Sequence, residues 1–426
     1  MKLNYKRTFL IGFAFLSISA FWQLYDSIIP LMLKNTFQLG ETLTGTIMAI
    51  DNVLALFLLP IFGAWSDRVD TRIGKRTPFI LVGTFFAIIF MMIIPRADQA
   101  VSFPLFFISL GITLLAMGTY RSPAVALMPD LTPKPLRSKA NAVINLMGAV
   151  GYIIALGLIS MLVKKEANPD YTIIFALVAL LMVVSVIILF LTTKEKKLAA
   201  EMAESISSDM EEDEDTTEEI TGPLPNDVKK SLIFLLASIF LWFTAYDAIT
   251  TAYSRYAGEV WGLTGGSFAN SLMVAGATAI VFYIPIGMIA SSIGRKKTIL
   301  IGIIIMSISY FAGFLFTEYS SWINVVFAFT GIGWSAINVN SYPMVVEMSR
   351  KGDVGKYTGY YYTFSMAAQI FTPIFSGFLL ENISYRSLFP YAVVFSLLSF
   401  CTMLFVKHGD SRPPKKKDNL EHFDVD

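Results

Sequence analysis

Long apolar runs alternate with short polar breaks along most of the chain, and the runs share one length. Twelve of them stand out, at residues 8–33, 42–62, 78–94, 103–128, 140–163, 171–192, 231–254, 267–290, 298–316, 321–345, 356–380 and 388–406. A bilayer core takes about 20 apolar helical residues to cross, so each run predicts a transmembrane helix. Most connections are shorter than about 15 residues, as expected between packed helices. The first run follows Lys2, Lys6 and Arg7, as a signal peptide would, but extends past any small-residue cleavage site, which predicts a retained helix. No run alternates with period two over a barrel-strand length, which excludes an outer-membrane-type barrel. The expected fold class is an all-α membrane protein with twelve transmembrane helices.

Composition sharpens this picture. Of 426 residues, 55% are apolar and 15% are charged, against roughly 45–50% and 25% in a soluble domain. The formal net charge of +1 leaves no basic surface for nucleic acid. Cys401 is the single cysteine, and both histidines, His408 and His422, fall near the C-terminus. An internal disulfide and a cysteine-based metal cluster are therefore excluded, and no metal, cofactor or catalytic nucleophile–base set is expected. The sequence does not read as an enzyme.

Basic residues in the loops set an orientation. Twenty-six Lys and Arg lie on the side of the N-terminus and six on the other, so both termini are expected in the cytoplasm. Residues 194–230 are acidic, polar and closed by Pro223 and Pro225. Such a stretch cannot bury a core and is expected to be a solvated cytoplasmic tether. It divides the chain into six-helix bundles at 1–193 and 231–407, with a cytoplasmic tail at 408–426.

The halves repeat. Tyr25-Asp26-Ser27-Ile28 answers to Tyr246-Asp247-Ala248-Ile249, Gly74-Lys75-Arg76 to Gly294-Arg295-Lys296, and Asp130 with Lys139 to Glu347 with Lys356. An even number of helices per repeat implies parallel repeats about an axis along the membrane normal. Carriers are built this way, with a site near the midplane between the repeats.

An ionisable side chain in mid-membrane costs at least about 2.5–3.5 kcal/mol, and so points to function. Four qualify: Asp26, Asp51, Arg121 and Asp247. At 1.5 Å per residue, Asp51 and Arg121 each lie about 14 Å from a helix end, and Asp26 and Asp247 about 12 Å. Low dielectric favours a protonated carboxylate and a neighbouring guanidinium favours an ionised one. Acids beside Arg121 could therefore bind and release a proton as access alternates; a fixed Asp–Arg brace would use the same residues. Candidate solute contacts are the aromatics Trp22, Trp242, Tyr246, Trp334 and Tyr362 and the amides Asn145, Asn338 and Gln369. Amides pair with hydroxyls and π faces stack on sugar C–H faces, although packing would also employ aromatics.

The loop Gly63-Ala-Trp-Ser66-Asp67-Arg68-Val-Asp70-Thr-Arg72-Ile-Gly74-Lys75-Arg76-Thr-Pro78-Phe-Ile resembles the signature between helices 2 and 3 of the major facilitator superfamily. Its long form is similar to that of the glycoside–pentoside–hexuronide cation symporters and the SLC45-like sucrose-transporter branch. Arg121-Ser-Pro-Ala-Val-Ala-Leu-Met-Pro-Asp130, followed by Ala140-Asn141 and Gly148, fits the same branch. The resemblance implies two pseudo-symmetric six-helix bundles and a latch in which Asp67, Arg68, Arg76, Asp130 and Glu347 gate the conformational change. The sodium-coupled members carry acids where this chain has Leu59 and Ala55, and plant sucrose carriers carry an arginine where it has Val125. Those departures favour protons over sodium, and imply either a displaced site or a different sugar. The expectation is a monomeric sugar:H⁺ symporter of the plasma membrane, taking a di- or oligosaccharide glycoside. A uniporter or exporter of a non-sugar solute and a non-transporting membrane sensor are the alternatives.

Overall fold

The structure, a computed structural model, describes residues 3–133, 136–166, 169–200, 225–349 and 354–410. Most of the acidic tether and most of the C-terminal tail lie outside the described residues. Twelve long helices run in chain order: α1 Tyr5–Asn35, α2 Glu41–Arg68, α3 Thr77–Gln99, α4 Phe103–Asp130, α5 Arg137–Leu162, α6 Thr172–Thr192, α7 Asn226–Trp261, α8 Ala269–Ile293, α9 Arg295–Leu315, α10 Ile323–Glu347, α11 Val354–Asn382 and α12 Leu388–Leu404. Each coincides with a helix long and apolar enough to cross a membrane. Among the described residues there is no strand, only an isolated bridge between Thr71 and Gly74.

Local chemistry explains where helices start and stop. The Asn4 side chain accepts from the Arg7 N–H to cap α1, supplying a partner that the first turn lacks. Pro78 and Pro104 open α3 and α4, where a missing N–H costs nothing. Gly262, at φ 64°, ends α7 with the left-handed turn that glycine adopts without strain. Two helices outrun their apolar stretches: α2 reaches Arg68 and α7 reaches Trp261. Hydropathy ends where polar side chains begin, whereas the backbone stays helical until something caps it.

The chain divides into two compact units. The first holds α1, α2 from Asp51 onward, and α3 to α6; the second holds residues 38–50 and α7 to α12. Within the first, α1 packs on α5 and α6, and α3 on α4 and α6. Within the second, α7 packs on α11 and α12, and α9 on α10 and α12. The pairing repeats with an offset of six helices, the structural form of the repeat seen in sequence. One departure is plain: α8 packs closely on α10, while the first turns of α2 belong to the second unit.

Small residues allow the closest crossings, as membrane interiors require where apolar side chains gain nothing by leaving lipid. A Cβ on Gly151 would come within 2.0 Å of the Leu16 carbonyl oxygen, joining α5 to α1. A Cβ on Gly331 would come within 2.2 Å of the Ala275 carbonyl oxygen, joining α10 to α8. At Gly157, by contrast, nothing lies within 4 Å. Gly151→Leu is therefore expected to lower the melting temperature in detergent clearly, through an overpacking cost of about 1–3 kcal/mol. Gly157→Leu is expected to leave it unchanged, and thermal scans of the two purified variants check both outcomes.

Candidate functional site

In the first unit α1, α2 and α4 bring three charges together. Asp26, Asp51 and Arg121 lie within electrostatic reach of one another. The Arg121 guanidinium sits 5.6 Å from the centroid of the Trp22 ring, a cation–π contact. Trp22 and Asp26 are one helical turn apart on α1, so the same face carries the ring and the acid. The Asn52 amide donates to Asp51 Oδ1 at 2.8 Å. Tyr25 of α1 and Tyr152 of α5 complete the surroundings. Two carboxylates beside one guanidinium carry a net charge of −1 when all are ionised, so one proton makes the group neutral.

Asp247 does not repeat that setting. It is half-buried on α7, and its electrostatic neighbours include Tyr310 of α9 and Tyr391 of α12. The Tyr-Asp pair repeats in sequence, but a carboxylate and a guanidinium flank Asp26 where phenols flank Asp247.

The second unit instead gathers aromatic rings. Tyr246 stacks on Trp334 at 3.7 Å and 6°, and Phe243 meets the Trp334 ring edge-on at 5.3 Å. Tyr361 continues the cluster through Phe243, Tyr342 and Tyr362. Asn338 Nδ2 donates to Tyr283 Oη at 3.4 Å, which adds a residue of α8 that sequence reading overlooked. Gln369 and, in the first unit, Asn145 are half-buried, and Tyr362 is exposed. Trp242 departs from expectation: it is 0% exposed, so its ring is a packing element with no face open to a solute.

The α2–α3 loop forms the third element. Arg76 is buried. Its Nη2 pairs with Asp67, its Nε with Asp130 Oδ2 at 2.8 Å, and its Nη1 with Ser66 and the Gly63 carbonyl. Lys75 adds a 3.4 Å contact to Asp130. Arg68 is the exception, being exposed; no contact ties it to this network among the described residues. Glu195, which sequence reading missed, takes the backbone N–H groups of Lys75, Arg76 and Thr77 and the Thr77 hydroxyl at 2.7–3.1 Å. A carboxylate there satisfies the orphan donors that open α3 and complements its dipole. Gly74 is required at φ 119°, since a Cβ would lie 2.2 Å from Glu195 Oε2.

The second unit carries the same device at the start of α9. Arg295 pairs with Glu347, Asp410 accepts from the Lys296 N–H at 2.7 Å, and Gly294 has φ 96°. Glu195 and Asp410 are thus the repeat that sequence comparison passed over, because each is a lone acid counted as part of a basic segment. Glu195→Gln is expected to lower stability by about 1.5–3 kcal/mol, the value of hydrogen bonds to a charged group. Glu166→Gln, at a solvent-facing acid, is the control, and thermal unfolding of both variants measures the difference.

Comparison with known proteins places this arrangement. The sequence profile of the Major Facilitator Superfamily matches residues 11–292 and again 271–424. Sucrose transport protein SUC3 of Arabidopsis thaliana is 28% identical over 152 residues, covering 31% of this chain and 25% of that protein. Proton-associated sugar transporter A of Homo sapiens is 46% identical over 44 residues, covering 10% of this chain and 6% of that protein. The matched stretches thus span a quarter or less of these relatives' lengths. Among solved structures, the inward-open xylose transporter XylE from E. coli superposes with a TM-score of 0.66 at 14% identity, covering 98% of each chain. A peptide transporter POT in complex with sulfate reaches 0.68 at 12% identity, covering 94% of this chain and 93% of its own. These two likenesses are of fold. With the superfamily profile matched along most of its length, on a fold shared with solved carriers and with twelve helices long and apolar enough to cross a membrane among the described residues, the chain belongs to the Major Facilitator Superfamily, a family of multi-pass membrane transporters.

Proposed function

We propose that this transporter is a sugar:H⁺ symporter that works by alternating access, and that it carries a di- or oligosaccharide glycoside across the plasma membrane with both termini in the cytoplasm. The observation that carries the reading is the group of Asp26, Asp51 and Arg121 in the first unit, with Trp22 against the guanidinium. One proton neutralises the group, and moving a neutral group through hydrocarbon avoids the cost of a bare charge. A proton gradient then drives the cycle when the neutral form crosses with solute bound. Asp247 is assigned a proton-linked role by its place in the repeat, with phenols in place of the guanidinium.

The sugar half of the reading rests on the aromatic cluster of the second unit and on the relatives. The Tyr246–Trp334 stack, Asn338 with Tyr283, Tyr362 and Gln369 offer π faces and amides, the groups that bind ring C–H bonds and hydroxyls. Trp22 and Asn145 are assigned the same role in the first unit. The names of the sucrose and proton-associated sugar transporters support both the solute class and the ion. Arg76, with Asp67, Asp130 and the Arg295–Glu347 pair, is assigned to gating; the basic loops on the side of the N-terminus support the orientation. We take the two six-helix bundles as the domains and the monomer as the working form.

Uptake by proteoliposomes, with internal pH recorded as each glycoside is added, tests the whole reading. Acidification with one glycoside supports it, and silence across the series turns it toward a carrier of another solute. Asp51→Asn is expected to abolish accumulation driven by an imposed pH gradient while solute exchange continues; equal accumulation would refute the coupling role. Trp334→Ala is expected to raise the half-saturating glycoside concentration at least about tenfold, equivalent to ~1.4 kcal/mol, without moving the pH dependence. Asp67→Ala is expected to slow turnover with little change in apparent affinity, measured as initial rates against glycoside concentration.

A further inference from the structure

The interior of the second unit holds polar atoms that its own side chains leave unanswered. Tyr310 of α9, Thr372 of α11 and Tyr391 of α12 are 1%, 0% and 6% exposed. The hydroxyl of each is buried with no hydrogen-bond partner among the described residues. These groups lie together. Asp247 of α7 is within electrostatic reach of both phenols, and the Thr372 hydroxyl neighbours that of Tyr391. One carboxylate oxygen of Asp247, Oδ2, is buried as well. The packing holds the hydroxyls in place. The Tyr391 ring lies against Phe395 and Phe375, with centroids 4.5 and 5.9 Å away. Ser307 and Ser396 bind each other at 2.8 Å, which fixes α9 against α12 one turn from Tyr310.

We propose that these groups form a binding site for a single buried water, held by Tyr310, Tyr391 and Thr372 against the inner oxygen of Asp247. A buried hydroxyl without a partner is costly, and protein interiors meet that cost with ordered water where several polar groups converge. The count of donors and acceptors fits one molecule. Water accepts two hydrogen bonds, which the phenols supply, and donates two, which Asp247 Oδ2 and Thr372 Oγ1 accept. The spacing fits as well. The phenols sense the Asp247 charge without closing a direct bond, and a bridging water occupies such a gap. Bound to an alkali cation instead, the phenols would keep their protons unanswered, since neither hydroxyl has an acceptor within bonding reach among the described residues. Water can donate to a carboxylate or accept from a carboxylic acid, so the site serves both protonation states of Asp247. That benefit rests on the proton-linked role proposed for Asp247; the site itself rests on the buried hydroxyls.

X-ray hydroxyl-radical labelling in lipid nanodiscs, read residue by residue by mass spectrometry, tests the site without substrate. Radiolysis of a bound water oxidises the side chains that touch it, even where they are sealed from bulk solvent. Tyr310 and Tyr391 are expected to oxidise at least about tenfold faster than Tyr120 and Tyr253, because only the first pair has a bound water as partner. Tyr120 and Tyr253 are both 0% exposed, and their hydroxyls bind Ser17 and Ser271. Thr372→Val removes one of the water's partners at similar side-chain shape. It is expected to slow labelling of Tyr310 and Tyr391 at least about threefold and to leave Tyr120 unchanged. Equally slow labelling of all four tyrosines would overturn the proposal. So would loss of the Tyr310 and Tyr391 labels on exchanging potassium for sodium, which would assign the site to a cation. Should Thr372→Val fail to fold, the comparison of tyrosines within the unaltered protein decides. None of these rates needs a glycoside or a proton gradient, so failure of the sugar:H⁺ reading would leave them untouched.

Discussion

Charge inside a protein or a membrane is costly unless something answers it, and several arginines of this protein are answered by charge of the opposite sign. Arg121 lies among Asp26 and Asp51 in the first unit. Arg255 is held by Glu41 in the second. Arg76 is buried only because Asp67, Asp130 and Ser66 converge on its guanidinium. Arg295 meets Glu347. Each set is nearly balanced, so removing one partner leaves the other charge to bear the full cost of burial.

The two units use one scaffold for different chemistry. Their helix pairings repeat with an offset of six, and each holds an arginine–acid pair and a carboxylate cap at the start of its third helix, by Glu195 in one and Asp410 in the other. Their interiors diverge. The first unit concentrates carboxylates and a guanidinium around Trp22, whereas the second stacks Tyr246 on Trp334 and extends the aromatic surface through Phe243 to Tyr361. The frame is common to both units, and the residues set in it differ. Asp247 shows the difference best: phenols neighbour it as they neighbour Asp26, but Asp26 also has Asp51 and Arg121 within electrostatic reach. The proposed assignments follow this division, with ion coupling centred on the charged unit and solute contact centred on the aromatic one.

Helix number, order and approximate ends were legible from run length, because bilayer thickness imposes one length on every crossing. Asp26, Asp51 and Arg121 were legible as a set because each is an expensive residue in an apolar run. The ion-pair network of Asp67, Arg76 and Asp130 was legible because a dense local motif brings most of them within one loop. Arg68 was not, since a motif names positions but does not say which side chain turns toward its neighbours. Trp242 was misread for a related reason: one step around a helix separates a ring in the packing from a ring facing a cavity, and run length is blind to that step.

What tertiary structure alone decided were the partnerships between distant residues. Glu41 and Arg255 are 214 positions apart and each looks like an ordinary loop-end charge in sequence. Glu195 looks like one acid in a lysine run, yet it closes the first turn of α3 from 118 residues away. Sequence determines which segments must leave water, because that follows from the chemistry of each segment taken alone. Which charge answers which, and to which unit the first turns of α2 belong, depends on how helices pack, and packing is a property of side-chain shape in three dimensions that no linear pattern contains.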